Sequence, residues 1–193
     1  MIEAILLSLI VAYVRKGNIR RLGELDLRHT WLIFAAAVFI GLLFIFTKYV
    51  PGMAFLGRLT SVSHLAAYLV ALIVIVLNRR LPGMALVGLG AALNFAVISV
   101  NGGKMPVSYE AAKYANMEKA LRNDLVRHCR IDENTRLAVL ADVIPLKWPS
   151  FHPGVMSVGD IILDVGLFVL VQYGVCPRKR SVKELVGGAD PAG

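Results

Sequence analysis

Apolar residues in this chain fall in long blocks, not in the spaced stripes of an amphipathic soluble fold. Four blocks reach or approach the roughly 20 residues that a bilayer-spanning helix needs: residues 30–49, 59–77, 82–100 and 155–176. A fifth, residues 2–14, is short; at about 1.5 Å per residue it covers only ~20 Å. It reaches across only if Arg15 and Lys16 snorkel or the bilayer thins locally. Glu3 stands where a signal peptide carries a base, and no Ala-x-Ala site follows, so the block reads as retained. The pattern predicts an all-α integral membrane protein, a bundle of five transmembrane helices or of four plus one short.

The stretch between the last two blocks, residues 101–154, is polar. From Ser108 or Tyr109 to about Asn123 it is rich in helix formers, with Tyr114, Met117 and Leu121 on one narrow stripe. Arg136–Val143 is a second, short apolar stretch, and Pro145, Pro149 and Pro153 forbid a regular helix from there to the last block. The segment is therefore expected to be partly helical. Residues 177–193 read as a basic, disordered tail.

Composition supports a membrane protein of one domain. Of 193 residues 57% are hydrophobic and 18% charged, where soluble chains have about 45–50% and about 25%. The net charge of +8 would suggest nucleic acid in a soluble protein. Here the bases flank the blocks, so the partner is the lipid bilayer and no nucleic acid is expected. Arg15, Lys16, Arg20, Arg21 and Arg28 fill the first connection, Arg79 and Arg80 the third, and Arg178, Lys179, Arg180 and Lys183 the tail. Bases near span ends mark the cytoplasmic side. That rule puts the tail inside and residues 101–154 outside the plasma membrane. The two cysteines, Cys129 and Cys176, then fall on opposite sides. Oligomeric state has no signature in the sequence.

Polar side chains inside a span need a partner. His64 lies about 8 Å from the outer surface on the third block, sharing a face with Thr60 and Ser63. Asn94 lies about 9 Å deep on the fourth, on one face with Asn101, and Asp160 and Asp164 lie at roughly 8 and 14 Å on the last. Three helices thus carry polar groups in their outer halves, and their inner halves carry almost none. The expected result is a polar pocket opening outward, built from His64, Asn94, Asp160 and Asp164. Asn101-Gly102-Gly103-Lys-Met-Pro106 follows the fourth block, as a chain turn or as a loop whose backbone approaches a ligand. Gly88, Ala92 and Ala96 form a small-residue stripe that lets another helix come close. No spacing marks a metal site or a cofactor.

The order Leu140-Ala-Asp142-Val-Ile, then Trp148-Pro-Ser-Phe-His-Pro, then Ser157-Val-Gly-Asp160-Ile-Ile-Leu-Asp-Val-Gly166 resembles the end of signal peptidase II, the lipoprotein signal peptidase. That family has one aspartate before its last span and a second, in Phe-Asn-x-Ala-Asp, opening it; here the latter reads Met156-Ser-Val-Gly-Asp160. The resemblance implies catalytic roles for Asp142 and Asp160, since two carboxylates sharing a proton act as acid and base on water. Asn101-Gly-Gly-Lys-Met-Pro together with Ser-Val-Gly-Asp also resembles an uncharacterised family of small five-helix bacterial membrane proteins, which implies no activity.

Three functions follow as expectations. The first is a non-catalytic protein whose pocket (His64, Asn94, Asn101, Gly102, Gly103 and Asp164, with Asp160) binds a lipid, a small solute or a partner transmembrane helix. The second is an aspartyl peptidase using Asp142 and Asp160. The third, metal-dependent phosphotransfer from Asp160-x-x-x-Asp164, lacks the Asp-x-x-Asp-Gly element that such enzymes also need.

Overall fold

The computed structural model describes residues 2–49, 54–117, 128–146 and 154–176. Five long helices carry the apolar blocks: α1 Ile2–Val14, α2 Trp31–Tyr49, α3 Ala54–Leu77, α4 Met84–Val100 and, after the polar segment, α6 Val158–Val175. Among the described residues, Val158–Val175 alone is long and apolar enough to cross a membrane; Glu3–Val14, Trp31–Leu43, Ser61–Leu77 and Met84–Val100 are apolar but shorter.

The helices pack in the order α2, α3, α4, α6, α1. The closest pairing, α4 on α6, is made by glycines. A Cβ on Gly90 would run into the carbonyl oxygen of Gly159, and one on Gly159 into Oδ1 of Asn94. One turn-pair along, a Cβ on Gly166 would lie 2.6 Å from the backbone nitrogen of Val87. The sequence-predicted stripe of Gly88, Ala92 and Ala96 is on another face: Gly88 meets Ile75 of α3, and Ala92 is exposed. Small residues occur on both faces of α4, and only the faces of its neighbours decide which set is used.

Helix α1 lies along α6 in the same direction. Ser8 donates to the Phe168 carbonyl at 3.2 Å and accepts from Gln172, whose side chain also takes the Ser8 carbonyl and the Arg15 guanidinium. Past the end of α1, the N–H of Asn18 reaches the Val175 carbonyl at 3.0 Å. This cluster corrects the expectation that the inner halves are almost free of polar groups. Gln172 and Ser8 are both buried. The first connection also folds against α3: Asn78 Nδ2 donates to the Arg28 carbonyl and Oδ1 accepts from the Arg28 N–H. The first and third connections and the end of α6 therefore gather at one end of the bundle, and the described residues between α4 and α6 sit at the other.

That segment corrects the all-α expectation. Its described residues hold four short strands. β1 (Met105–Val107) pairs in parallel with β2 (His128–Arg130), and β3 (Ile144–Leu146) pairs antiparallel with β4 (Gly154–Met156). Pro106 and Pro145 keep these stretches extended, and β-branched Val107, Ile144 and Val155 suit strands. Over its described residues, 108–117, the predicted helix from Ser108 or Tyr109 to about Asn123 begins as α5 (Tyr109–Tyr114), capped by Ser108 and followed by Asn116 at φ 59°; residues 118–123 lie outside the described residues, as do residues 177–193 of the predicted tail. Arg136–Val143 contains a 3-10 turn, Ala138–Leu140, entered through Leu137 at φ 54°.

Candidate functional site

The strands bring together residues that the chain keeps apart. In the β3–β4 register Ile144 faces Met156. Asp142, two residues before β3, is thereby folded back toward Ser157 and Asp160, just after β4. The Val143 N–H bonds the Met156 carbonyl at 3.2 Å. From its other side the Asp142 backbone is held by β1: its N–H donates to the Pro106 carbonyl at 3.0 Å, and its carbonyl accepts from the Ser108 N–H at 2.9 Å. Asp142 is held in a β-bridge to Val107 and is not a loop tip.

Asp160 is fixed by its own helix. Ser157 is the N-cap of α6, and the two form a reciprocal capping box: the Asp160 N–H donates to Ser157 Oγ, and the Ser157 N–H donates to Asp160 Oδ2, both at 3.0 Å. Asn94 of α4 joins them. Its Nδ2 donates to Asp160 Oδ1 at 2.7 Å, and its Oδ1 accepts from Ser157 Oγ at 2.9 Å. Both Asp160 oxygens are acceptors, the role of an ionised carboxylate. Close approach at Gly90 and Gly159 is what lets Asn94 reach.

These groups line a cavity of about 220 Å³. Asp142 and Asp160 face it with Asn94; His64 and Tyr68 contribute from α3, and His128 from β2. Ile98 and Met105 supply an apolar wall. The rings of His64 and Tyr68 meet edge to face, 5.4 Å apart. Asp142 is only 8% exposed, and among the described residues its Oδ1 has no hydrogen-bond partner. Burial, and then the charge of Asp160, push its carboxyl from the ordinary 3.8 up to about 8. Near neutrality Asp142 thus carries a proton while Asp160 accepts hydrogen bonds.

Of the sequence-predicted residues, His64, Asn94, Asp142 and Asp160 share this cavity. The others do not line it. Asn101 is a strap: its Nδ2 donates to the Val97 and Arg136 carbonyls and its Oδ1 accepts from the Arg136 N–H. Gly102 and Gly103 have φ of 70° and 81°, which turn the chain out of α4 into β1. A Cβ on Gly103 would lie 2.7 Å from that of Ser61, so this glycine seats the turn on α3. Asp164 is one turn further along α6, half-buried. Tyr68, Ser157 and His128 were not among the predicted residues. Tyr68 is four residues from His64 on the same helix face, and Ser157-x-x-Asp160 has the capping-box spacing; nothing near His128 in the sequence signals its place.

Residues 24–172 match a family model described as a family of unknown function, DUF5317. The chain belongs to the DUF5317 family. The match runs from the end of the first connection through α6, so it takes in all of the cavity residues and leaves out α1. A DUF5317 chain of this kind is similar to an uncharacterized protein of Thermotoga maritima, 39% identical over 92 residues, which is 48% of this chain and 52% of that protein. The chain thus spans about half the length of the curated relative it matches. No solved structure matches.

Proposed function

We propose that this DUF5317 protein is a multi-pass membrane protein of the plasma membrane, whose cavity opens outward and binds a small solute without catalysis. One observation carries the membrane part: the bundle exposes large apolar side chains on several helices while burying polar ones. Phe34, Val38, Leu69, Ile73, Leu89 and Val165 are large apolar residues with about half or more of their surface exposed, on four different helices. Ser8, Ser63, Asn78, Asn94, Ser157 and Gln172 are buried. Water favours the reverse. Hydrocarbon favours this arrangement, because it cannot satisfy polar groups. The basic connections gathered at one end of the bundle give the orientation, cytoplasmic by the positive-inside rule. That leaves the cavity and the 101–157 segment on the outer side.

A ligand role rests on the unpartnered Asp142 oxygen in a cavity with room for about seven waters at ~30 Å³ each. Native proteins rarely leave such a group unused. The test is a thermal-shift screen of purified protein in detergent against solutes of up to about ten heavy atoms. At least one solute is expected to raise the melting temperature of the wild type and not of Asp160→Asn. If the protein sediments with membranes only until a carbonate wash, the membrane reading fails.

A second reading, an aspartyl hydrolase like signal peptidase II, is favoured by the unequal pair in one cavity. A protonated Asp142 and a hydrogen-bonded Asp160 carboxylate are a ready acid and base. It predicts that Asp142→Asn and Asp160→Asn each abolish cleavage of a membrane-anchored lipoprotein precursor while the protein still folds. A binding role predicts that Asp142→Asn is tolerated.

A further inference from the structure

We propose that the cavity selects small organic cations, binding an ammonium group between Asp142 and Asp160 with its carbon skeleton against Tyr68, Ile98 and Met105. The inference rests on the reading of this cavity as an outward-opening ligand site and names the class of ligand.

Four features carry it. The first is charge. Asp160 receives hydrogen bonds on both oxygens, as an ionised carboxylate does; among the described residues its donors are the Asn94 amide and the Ser157 backbone, both neutral. Among the described residues no Lys or Arg lines the cavity, and His64 and His128 are its basic side chains. An ammonium occupant supplies the fixed positive charge that this lining lacks. The second is the unused valence. Asp142 is more than nine-tenths buried and, among the described residues, its Oδ1 has no partner, although its backbone is bonded on both sides. An ammonium group has three donors and can satisfy both carboxyl groups at once.

The third feature is shape. A bare metal ion would need several converging ligands, and among the described residues no three His, Cys, Asp or Glu side chains are arranged to hold one. The volume of about 220 Å³ is also large for an ion and suits a short carbon chain. The fourth is the opposite wall. Tyr68 lines this wall with Ile98 and Met105, and the three offer a carbon skeleton an apolar and aromatic surface. An anion meets two carboxyl groups here, and a neutral alcohol leaves the Asp160 charge uncompensated.

The test uses the full-length protein in membranes. Cys129 and Cys176 are replaced by serine, and a thiol is introduced into the cavity wall by Met105→Cys, with Ile98→Cys as a second position should the first misfold. Two methanethiosulfonate reagents of similar size are compared, one ending in ammonium and one in sulfonate. The same preparation is probed with n-butylammonium and with n-butanol as competitors. Reaction at least tenfold faster with the cationic reagent is expected, which corresponds to about 1.4 kcal/mol of discrimination. Millimolar n-butylammonium should protect the thiol and n-butanol should not. Asp160→Asn should remove both the preference and the protection. Equal rates with the two reagents, or equal protection by the alcohol, would overturn the cation assignment and leave a ligand site of another class. No reaction with either reagent at either position would overturn the outward-opening site itself.

Discussion

At the scale of single residues, Asp142 makes the sharpest prediction. Its carboxyl binds a proton more tightly in the fold, up to about 8, than in an unfolded chain, near 3.8. Its stabilising contribution is therefore complete below about pH 4, declines as pH rises, and is lost above about pH 8. Asp142→Asn should flatten this decline and match or exceed the wild type at pH 9, with a melting temperature as high or higher and an unfolding free energy larger by at most on the order of a few kcal/mol. A pH series of thermal melts in detergent checks it; an unchanged slope in the variant would mean that Asp142 is not the titrating group. Asn94→Ala should cost about 1–3 kcal/mol, because it strips a donor from half-buried Asp160 and an acceptor from buried Ser157. The melting temperature reads this directly. Polar residues inside apolar blocks were legible in the sequence, and three of them, His64, Asn94 and Asp160, meet in the cavity with Asp142 of the polar segment, which the resemblance to signal peptidase II had pointed to. Asn101 was not legible as a strap, because its partner Arg136 is 35 residues away with no local pattern joining them. His128 was equally hidden, since its position depends on the pairing of β2 with β1.

At the scale of elements, the helices follow from the hydrophobic blocks to within about five residues at their ends, while the strands do not. Strands of three residues carry too little periodicity to be read, and they exist here only because each has a partner brought by the chain around it. The helix interface was half legible. Small residues on α4 promised a close approach, yet the contact uses Gly90 against Gly159, not Gly88, Ala92 and Ala96. Gly90→Ala and Gly159→Ala should each destabilise by about 1–3 kcal/mol, because the added methyl meets backbone or the Asn94 amide and neither can yield. Gly41→Ala on α2, where a Cβ meets nothing, should be neutral or stabilising by up to about 1 kcal/mol. Parallel melts of the three variants test the pairing; equal effects would contradict it. The two interface variants should also weaken the cavity, since Gly159 packs on the residue that holds Asp160.

At the scale of the whole molecule, the proposal is a membrane bundle with its basic connections inside and its polar cavity outside. The exposed apolar and buried polar side chains belong together: each is costly in water, and both are favoured in a bilayer. Two native thiols report on this arrangement without any change to the fold. Cys129 lies in β2, beside the cavity, and Cys176 caps the far end of α6; both are free and partly accessible. Burial raises the Cys129 thiol above its ordinary range, with Asp132 adding and Lys104 opposing, so labelling is best done at about pH 8.5. The decisive measurement is reaction of these two thiols with a membrane-impermeant maleimide, in intact cells and after permeabilisation. The account predicts that Cys129 is labelled in intact cells and Cys176 only once the membrane is opened. Labelling of both in intact cells, of neither until permeabilisation, or of Cys176 first would contradict it.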